Sequence, residues 1–344
     1  MTAVKERQSN MELLRILSMA AVIIVHLDGA SVGLPTPGGF SAASAADWWR
    51  IIVESAVIVG VNCFTLISGY FGIKARIGGF VRFTLMCMFY SVGLYMLSAF
   101  APRVSWSWTA WIESWMVFTH TDLWYVPAYL LLYLLSPMLN AAVENLPLKK
   151  FGLWLGLFIA FNVWAGWLWG ANFNPTGYTP VQLIMMYLIG RYIKMWLTER
   201  HPAPRRLRVG SATVYAAMTA ATGVIALWME PVKVYAYNSP WVIASSVAIF
   251  IMFTTFSFTS RSVNRLARGA FAAYLIHKNP AIWGGAMRPL AVEIWQYGSL
   301  ILYSVFTLIF TAAIYLGATA IDAVREWLFG KCEALFDNKV KVKA

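Results

Sequence analysis

Apolar residues run along this chain in blocks of about twenty, separated by short polar or basic breaks. A helix needs roughly 20 apolar residues to cross ~30 Å of hydrocarbon. Blocks at 13–33, 48–71, 78–100, 122–143, 151–170, 178–197, 210–229, 239–258, 269–290 and 297–321 meet that length, and predict ten helical spans. Breaks such as Leu34-Pro35-Thr36-Pro37-Gly38-Gly39 and Asn172-Phe173-Asn174-Pro175 separate them. Between the third and fourth blocks, the stretch from Trp106 to Trp115 predicts a re-entrant or interfacial helix. No internal repeat or low-complexity linker divides the chain. The pattern therefore predicts an all-α polytopic integral membrane protein, with about ten transmembrane helices around a polar cavity. A tail at 1–12, a membrane domain at 13–329 and a basic tail at 330–344 make up that reading. The first block is expected to be a retained helix rather than a signal peptide, because nine more follow it.

Composition agrees with that class. Apolar residues make up 60% of the chain, charged residues 12%, and the mean hydropathy is +0.63. A soluble domain carries about 25% charged residues to solvate its surface. The 17 Trp and 16 Tyr suit a chain with many lipid–water boundaries. A net charge of +12 would raise nucleic acid as a partner in a soluble protein. Here the basic residues fall in short clusters between apolar blocks, which argues for positive-inside topology and no nucleic acid. With the N-terminus inside, all but five of the 27 Lys and Arg lie on the inner side, the exceptions being Arg50, Arg103, Lys233, Lys278 and Arg288. Both termini are then cytoplasmic. Cys63, Cys87 and Cys332 show no metal-ligand spacing and are expected as free thiols.

Ionisable residues inside spans are costly and therefore informative. Arg15 and His26 stand eleven residues apart in the first span. At 100° per residue they share one helix face, about 16 Å apart along the axis. Arg15 could also be a snorkelling anchor and His26 an interfacial hydrogen-bonding residue. Glu54 lies one turn after Arg50 near the outer end of the second span, placed either to orient His26 or to pair with Arg50. His277 and Lys278 lie near the middle of the ninth block and predict a polar cavity or a contact with a donor's arm. His120 in an outer loop and His201 among inner basic residues read as solvated.

Arg15, ten residues and His26, within Glu12-Leu-Leu-Arg15-Ile, resemble the first-span signature of the membrane acyltransferase-3 family, in particular its polysaccharide-acetylating branch. Phe64-Thr-Leu-Ile-Ser68-Gly69-Tyr70-Phe71 is similar to that family's Ser-Gly-aromatic motif. Leu123-Trp124-Tyr125 with Tyr133-Leu-Leu-Ser136-Pro137, and Tyr274-Leu-Ile-His277-Lys278-Asn279-Pro280, resemble two further segments in the family's order. Two departures stand out. Lys74-Ala-Arg76 replaces an Arg pair three residues apart, and His277-Lys278-Asn279 stands where relatives often read His-Asp-Asn.

The resemblance implies an enzyme that takes an acyl group from cytosolic acyl-CoA and delivers it to a sugar hydroxyl beyond the outer face of a bacterial cytoplasmic membrane. It associates Arg15 and His26 with activity. Acyl transfer from a thioester needs a base for the hydroxyl and groups for a polyanionic donor. His26 suits the base, or a transient acyl carrier, with Glu54 beside it. Arg15, Lys74, Arg76 and Arg82 suit the donor's phosphates, although ordinary topological anchoring also accounts for basic residues there. His277 and Lys278 complete the donor-side set. Ser68 reads as a helix-packing residue rather than a nucleophile. No permanently bound cofactor and no metal are expected. Acetyl-CoA or another acyl-CoA is the co-substrate, a glycan or lipid-linked saccharide the acceptor, and membrane lipid the surrounding partner. With no esterase-like domain appended, transfer is expected to finish within the membrane domain. A secondary transporter of an anionic metabolite and a non-catalytic envelope assembly factor are the competing readings. Transporters tend to show inverted repeats and paired broken helices, and neither is visible.

Overall fold

The computed structural model describes residues 7–100, 106–119 and 123–341. Arg103, His120 and the side chain of Cys332 lie outside the described residues. In chain order the helices are α1 (Ser9–Val25), α2 (Ala45–Val57), α3 (Gly60–Phe71), α4 (Ile77–Ala99), α5 (Trp108–Trp115), α6 (Tyr125–Glu144), α7 (Leu148–Phe161), α8 (Pro180–Arg200), α9 (Pro204–Ile225), α10 (Pro231–Val234), α11 (Pro240–Thr254), α12 (Arg261–Leu266), α13 (Ala270–His277), α14 (Pro280–Ile282), α15 (Arg288–Tyr297) and α16 (Leu300–Lys341). π-Helical turns follow α1 at His26–Ala30 and α7 at Asn162–Leu168, and precede α15 at Trp283–Met287. No strand occurs among the described residues.

The starts of these helices are written locally. Ser44 caps α2 in a reciprocal box: its hydroxyl accepts from the Asp47 N–H, and the Asp47 carboxylate accepts from the Ser44 N–H. Pro180, Pro204 and Pro240 open α8, α9 and α11, where a missing N–H costs nothing.

Among the described residues, six helical stretches are long and apolar enough to cross a membrane: Ser9–Ala30, Ala45–Phe71, Ile77–Ser98, Tyr125–Glu144, Leu148–Leu168 and Leu300–Phe329. Each coincides with one of the ten expected blocks. The other four blocks are also helical but fall short of that standard. Helix α8 carries Arg191, Lys194, Glu199 and Arg200, and α9 opens on Arg205, Arg206 and Arg208. Helix α11 has only 15 residues. The block at 269–290 breaks after His277, because Pro280 lacks an N–H and steers Asn279 away from the helical region. The Trp-rich stretch forms the short helix α5, with Trp108 and Trp115 exposed.

The chain folds as two compact units. The first comprises residues 1–73 and 138–267, the second 74–137 and 268–344. In the first, α3 is the central helix, packed on α1, α8 and α11. Its core includes Met11, Leu14, Cys63, Leu66, Met185 and Phe250. Gly69 faces the Tyr187 backbone so closely that any Cβ would overlap its carbonyl. The Ser68 hydroxyl turns back to the Phe64 carbonyl at 3.2 Å, so Ser68-Gly69 serves the contact of α3 with α8. In the second unit, Phe83 stacks on Phe271 with ring centres 5.4 Å apart, tying α4 to α13. A buried polar triad there joins α4 to α16: the Tyr90 hydroxyl and the Arg325 Nε–H both donate to Asp322 Oδ1, at 2.9 and 2.7 Å. Cys63 and Cys87 are buried free thiols.

Candidate active site

His26 is the first residue of the π turn that ends the first span. A π turn carries an extra residue per turn, so side chains after it leave the register of the helix before it; such turns recur at functional sites. Up to His26 the helix is regular, so the expected eleven-residue relation to Arg15 holds along α1. Both side chains are half-buried.

Two carboxylates close in on this turn. Asp28 is buried within it and meets Arg50 of α2, whose Nε lies 2.7 Å from Asp28 Oδ1. The same guanidinium donates through Nη2 to the Gly33 carbonyl, fastening the following loop onto the turn. Glu54, one turn further along α2, is 2% exposed. Its Oε1 would lie 3.2 Å from a Cβ placed on Gly29, so its carboxylate packs against the turn that begins at His26. Its Oε2 has no hydrogen-bond partner among the described residues. Arg50, one turn before Glu54, bonds Asp28 through its guanidinium. The local pairing rule looks one turn away along a helix, whereas the closer partner reaches Arg50 from the folded-back end of α1.

Tyr235 borders the same place. Its hydroxyl lies 3.4 Å from the Ser55 hydroxyl and 3.4 Å from the Ile51 carbonyl. Burial holds this phenol above its ordinary range, so it remains a neutral O–H. Further into the unit a chain of buried amides follows. Gln182 Nε2 donates to Asn62 Oδ1 at 3.2 Å and to the Tyr237 carbonyl at 2.8 Å, and Asn174 Nδ2 donates to Asn162 Oδ1 at 2.7 Å. These amides and Tyr235 escape a reading that weighs charge alone. Asn62 and Gln182 within otherwise apolar helices were the available signal.

At the start of α1, Arg15 bonds Glu12 Oε2, and Arg7 lies 3.8 Å from the other oxygen. The remaining expected site residues belong to the second unit. Lys74, Arg76 and Arg82 are exposed at and just before the start of α4. The backbone of Arg76 is pinned by Tyr133, whose hydroxyl accepts from its N–H and donates to its carbonyl, each at 2.8 Å. His277 is fully buried, with Nδ1 2.6 Å from the Ala273 carbonyl one turn back. Lys278 lies over the Trp283 ring at 4.5 Å. The structure thus gathers His26 and Glu54 around one turn, sets Arg15 near the opposite end of the same helix, and carries the other five in the second unit. His201 is exposed and ends α8 with a left-handed backbone, φ 43°.

A histidine at the head of a turn against which a buried acidic side chain packs can serve as a proton acceptor. Basic groups at the other end of α1 can meet an anion. No curated protein and no solved structure matches the chain. The family model described as an acyltransferase domain, of the acyltransferase-3 family, matches residues 8–322, which take in every candidate residue above. That match spans nearly the whole chain and does not favour the transporter reading. The chain belongs to the membrane acyltransferase-3 family.

Proposed function

We propose that this acyltransferase is an O-acyltransferase of the bacterial cytoplasmic membrane. It moves an acyl group, acetyl in the first instance, from cytosolic acyl-CoA to a hydroxyl of a cell-surface or lipid-linked glycan. The observation that carries this reading is His26 at the head of a π turn, with the buried Glu54 carboxylate against the same turn.

In that reaction His26 takes the acceptor's hydroxyl proton as the oxygen attacks the thioester carbon. The new C–O bond forms, the C–S bond breaks, and the proton passes to the CoA sulfur. An acyl-His26 intermediate would reach the same products through two transfers. Glu54 offsets the charge of the imidazolium. Arg15, Lys74, Arg76 and Arg82 meet the donor's phosphates, and His277 and Lys278 line the path of its arm. Ten helices span the membrane in this reading, and both termini face the cytoplasm. A tag in the loop from Gly38 to Ser44 should therefore be labelled from outside intact cells, and its protection there would overturn the orientation.

The direct test uses inside-out vesicles given acetyl-CoA labelled in the acetyl group. Label should enter the glycan fraction with the wild-type protein and stay out of it with His26→Ala. Wild-type vesicles that leave the glycan unlabelled, with every acyl-CoA offered, would sink the proposal.

A further inference from the structure

Where α3 ends in the first unit, the chain turns at Gly72, whose φ is +73°. That turn is locked by a closed set of hydrogen bonds. The Ile73 N–H donates to the Tyr187 hydroxyl at 3.0 Å, this hydroxyl donates to Asn140 Oδ1 at 2.6 Å, and Asn140 Nδ2 donates to the Ile73 carbonyl at 2.9 Å. Arg191, one helical turn beyond Tyr187, lays its guanidinium against the outside of this lock. A Cβ on Gly72 would lie 2.8 Å from Arg191 Nη1, so glycine at this position leaves the room that the guanidinium fills.

Arg191 is under-satisfied for so buried a cation. Its side chain is 17% exposed, its Nε is buried with no hydrogen-bond partner among the described residues, and its ion pair is to Glu144 at 3.5 Å. Glu144 is itself 68% exposed, so most of its own solvation is retained in water. A guanidinium offers five N–H groups in a fixed fork, and leaving them unpaired in an interior is costly. Lys194, over the Tyr70 ring at 4.8 Å, adds a second positive charge less than one turn further along α8. This is the end of the unit at which α1 begins, where Met11 and Leu14 share a core with Tyr70.

We infer that Arg191 is a phosphate-binding residue for the acyl donor, its fork held by the Gly72 turn and the Tyr187–Asn140 lock. This rests on the donor being an acyl-CoA, as proposed above. The site takes a phosphate ester because a guanidinium fork matches phosphate oxygens in shape and charge. Glu144 is a loose counterion that the phosphate displaces.

Purified protein in nanodiscs, titrated with CoA and with pantetheine, which shares the arm but lacks the phosphates, tests this. Wild type should bind CoA more tightly than pantetheine. Arg191→Gln should lose at least about tenfold in CoA affinity while leaving pantetheine unchanged, and Glu144→Gln should bind CoA as tightly as wild type or better. Equal losses in Arg191→Gln and Glu144→Gln would make the pair a structural strut and overturn the inference; so would wild-type CoA affinity in Arg191→Gln. Should Arg191→Gln not insert, Arg191→Lys carries the test, since it keeps the charge and loses the fork. A weaker hold on CoA with pantetheine unchanged supports the assignment, and an unchanged CoA affinity removes it. Wild-type protein that binds no CoA would bring down the donor reading as well, whereas CoA binding indifferent to Arg191 brings down this inference alone.

Discussion

The two ends of the first unit spend their charges in opposite ways. At the His26 end two buried acidic side chains meet the turn: Asp28 bonds Arg50, and Glu54 packs against the turn that begins at His26. At the end where α1 begins, Arg7, Arg15, Arg191 and Lys194 are set against Glu12 and the exposed Glu144. The first end has two acidic side chains for one guanidinium, and in the reaction proposed above His26 takes its proton there. The second has base to spare and can hold an anion. A thioester transfer asks for both functions, and separating them along one helix keeps the donor's charge away from the base.

The comparison is tested most severely at His26. General-base catalysis contributes about 10²–10⁴-fold, so His26→Ala should lose glycan acylation by that factor while still inserting and binding acyl-CoA. His26→Gln should fail equally, because an amide can share a hydrogen bond but cannot take a proton. Normal acylation by well-folded His26→Ala protein would leave the acid-rich end without a catalytic purpose.

Next in size is the Asp28–Arg50 pair that braces this end. Removing one partner of a buried ion pair costs about 3–5 kcal/mol, because the other charge is stranded, while replacing both is often near neutral. Arg50→Met should thus lower thermal stability in detergent sharply, and Asp28→Asn combined with Arg50→Met should recover much of it. A double variant whose loss equals the sum of the Asp28→Asn and Arg50→Met losses would mean that the pair contributes no coupling.

Gly69→Ala is smaller and acts on the scaffold shared by both ends. Its methyl group would overlap the Tyr187 carbonyl, which lies in the contact of α3 with α8. Over-packing of this kind costs about 1–3 kcal/mol, read as a lowered melting temperature, and it should weaken CoA binding too, since Tyr187 sits in the lock beneath Arg191. A Gly69→Ala protein as stable as wild type would show that the two helices are free to separate, and that the lock is not rigid.

Much of this was legible in the residue pattern, and the exceptions have physical causes. Arg15 and His26 share a face because helical periodicity alone sets it, and apolar length marks the six strongest helices. The ninth block shows where length misleads: its hydropathy is high, but Pro280 forbids the N–H bond a continuous helix would need. The partner of Arg50 was not readable, because Asp28 is brought to it by a fold-back of 22 residues rather than by helix spacing. Arg191 reads in sequence as one more inner-side charge. Only the packing of α8 against the Gly72 turn distinguishes it from its exposed neighbours Arg200 and Arg205. The contact of the His277 Nδ1 with a carbonyl of its own helix, one turn back, follows from helix geometry once the ninth block is known to be helical up to His277.

The smallest expected effects lie at Lys74 and Arg82 of the second unit, exposed basic residues to be weighed against the half-buried ones of the first. Both are exposed, so water already solvates their charges and any phosphate they meet is screened. Exposed ion pairs are worth about 0.2–1 kcal/mol, which limits Lys74→Ala or Arg82→Ala to a loss of about fivefold or less in CoA affinity. Screening with a Debye length of about 3 Å at 1 M salt should erase even that difference. Arg15→Ala should cost more, because the half-buried guanidinium is held in place by Glu12, although Glu12 competes with the donor for it. The measurement is CoA affinity for the three variants at low and high salt. A salt-insensitive loss above tenfold at Lys74 or Arg82 would show that these side chains are desolvated when the donor binds. The strong anion contacts would then belong to the exposed basic residues, and burial would no longer rank the donor-side groups.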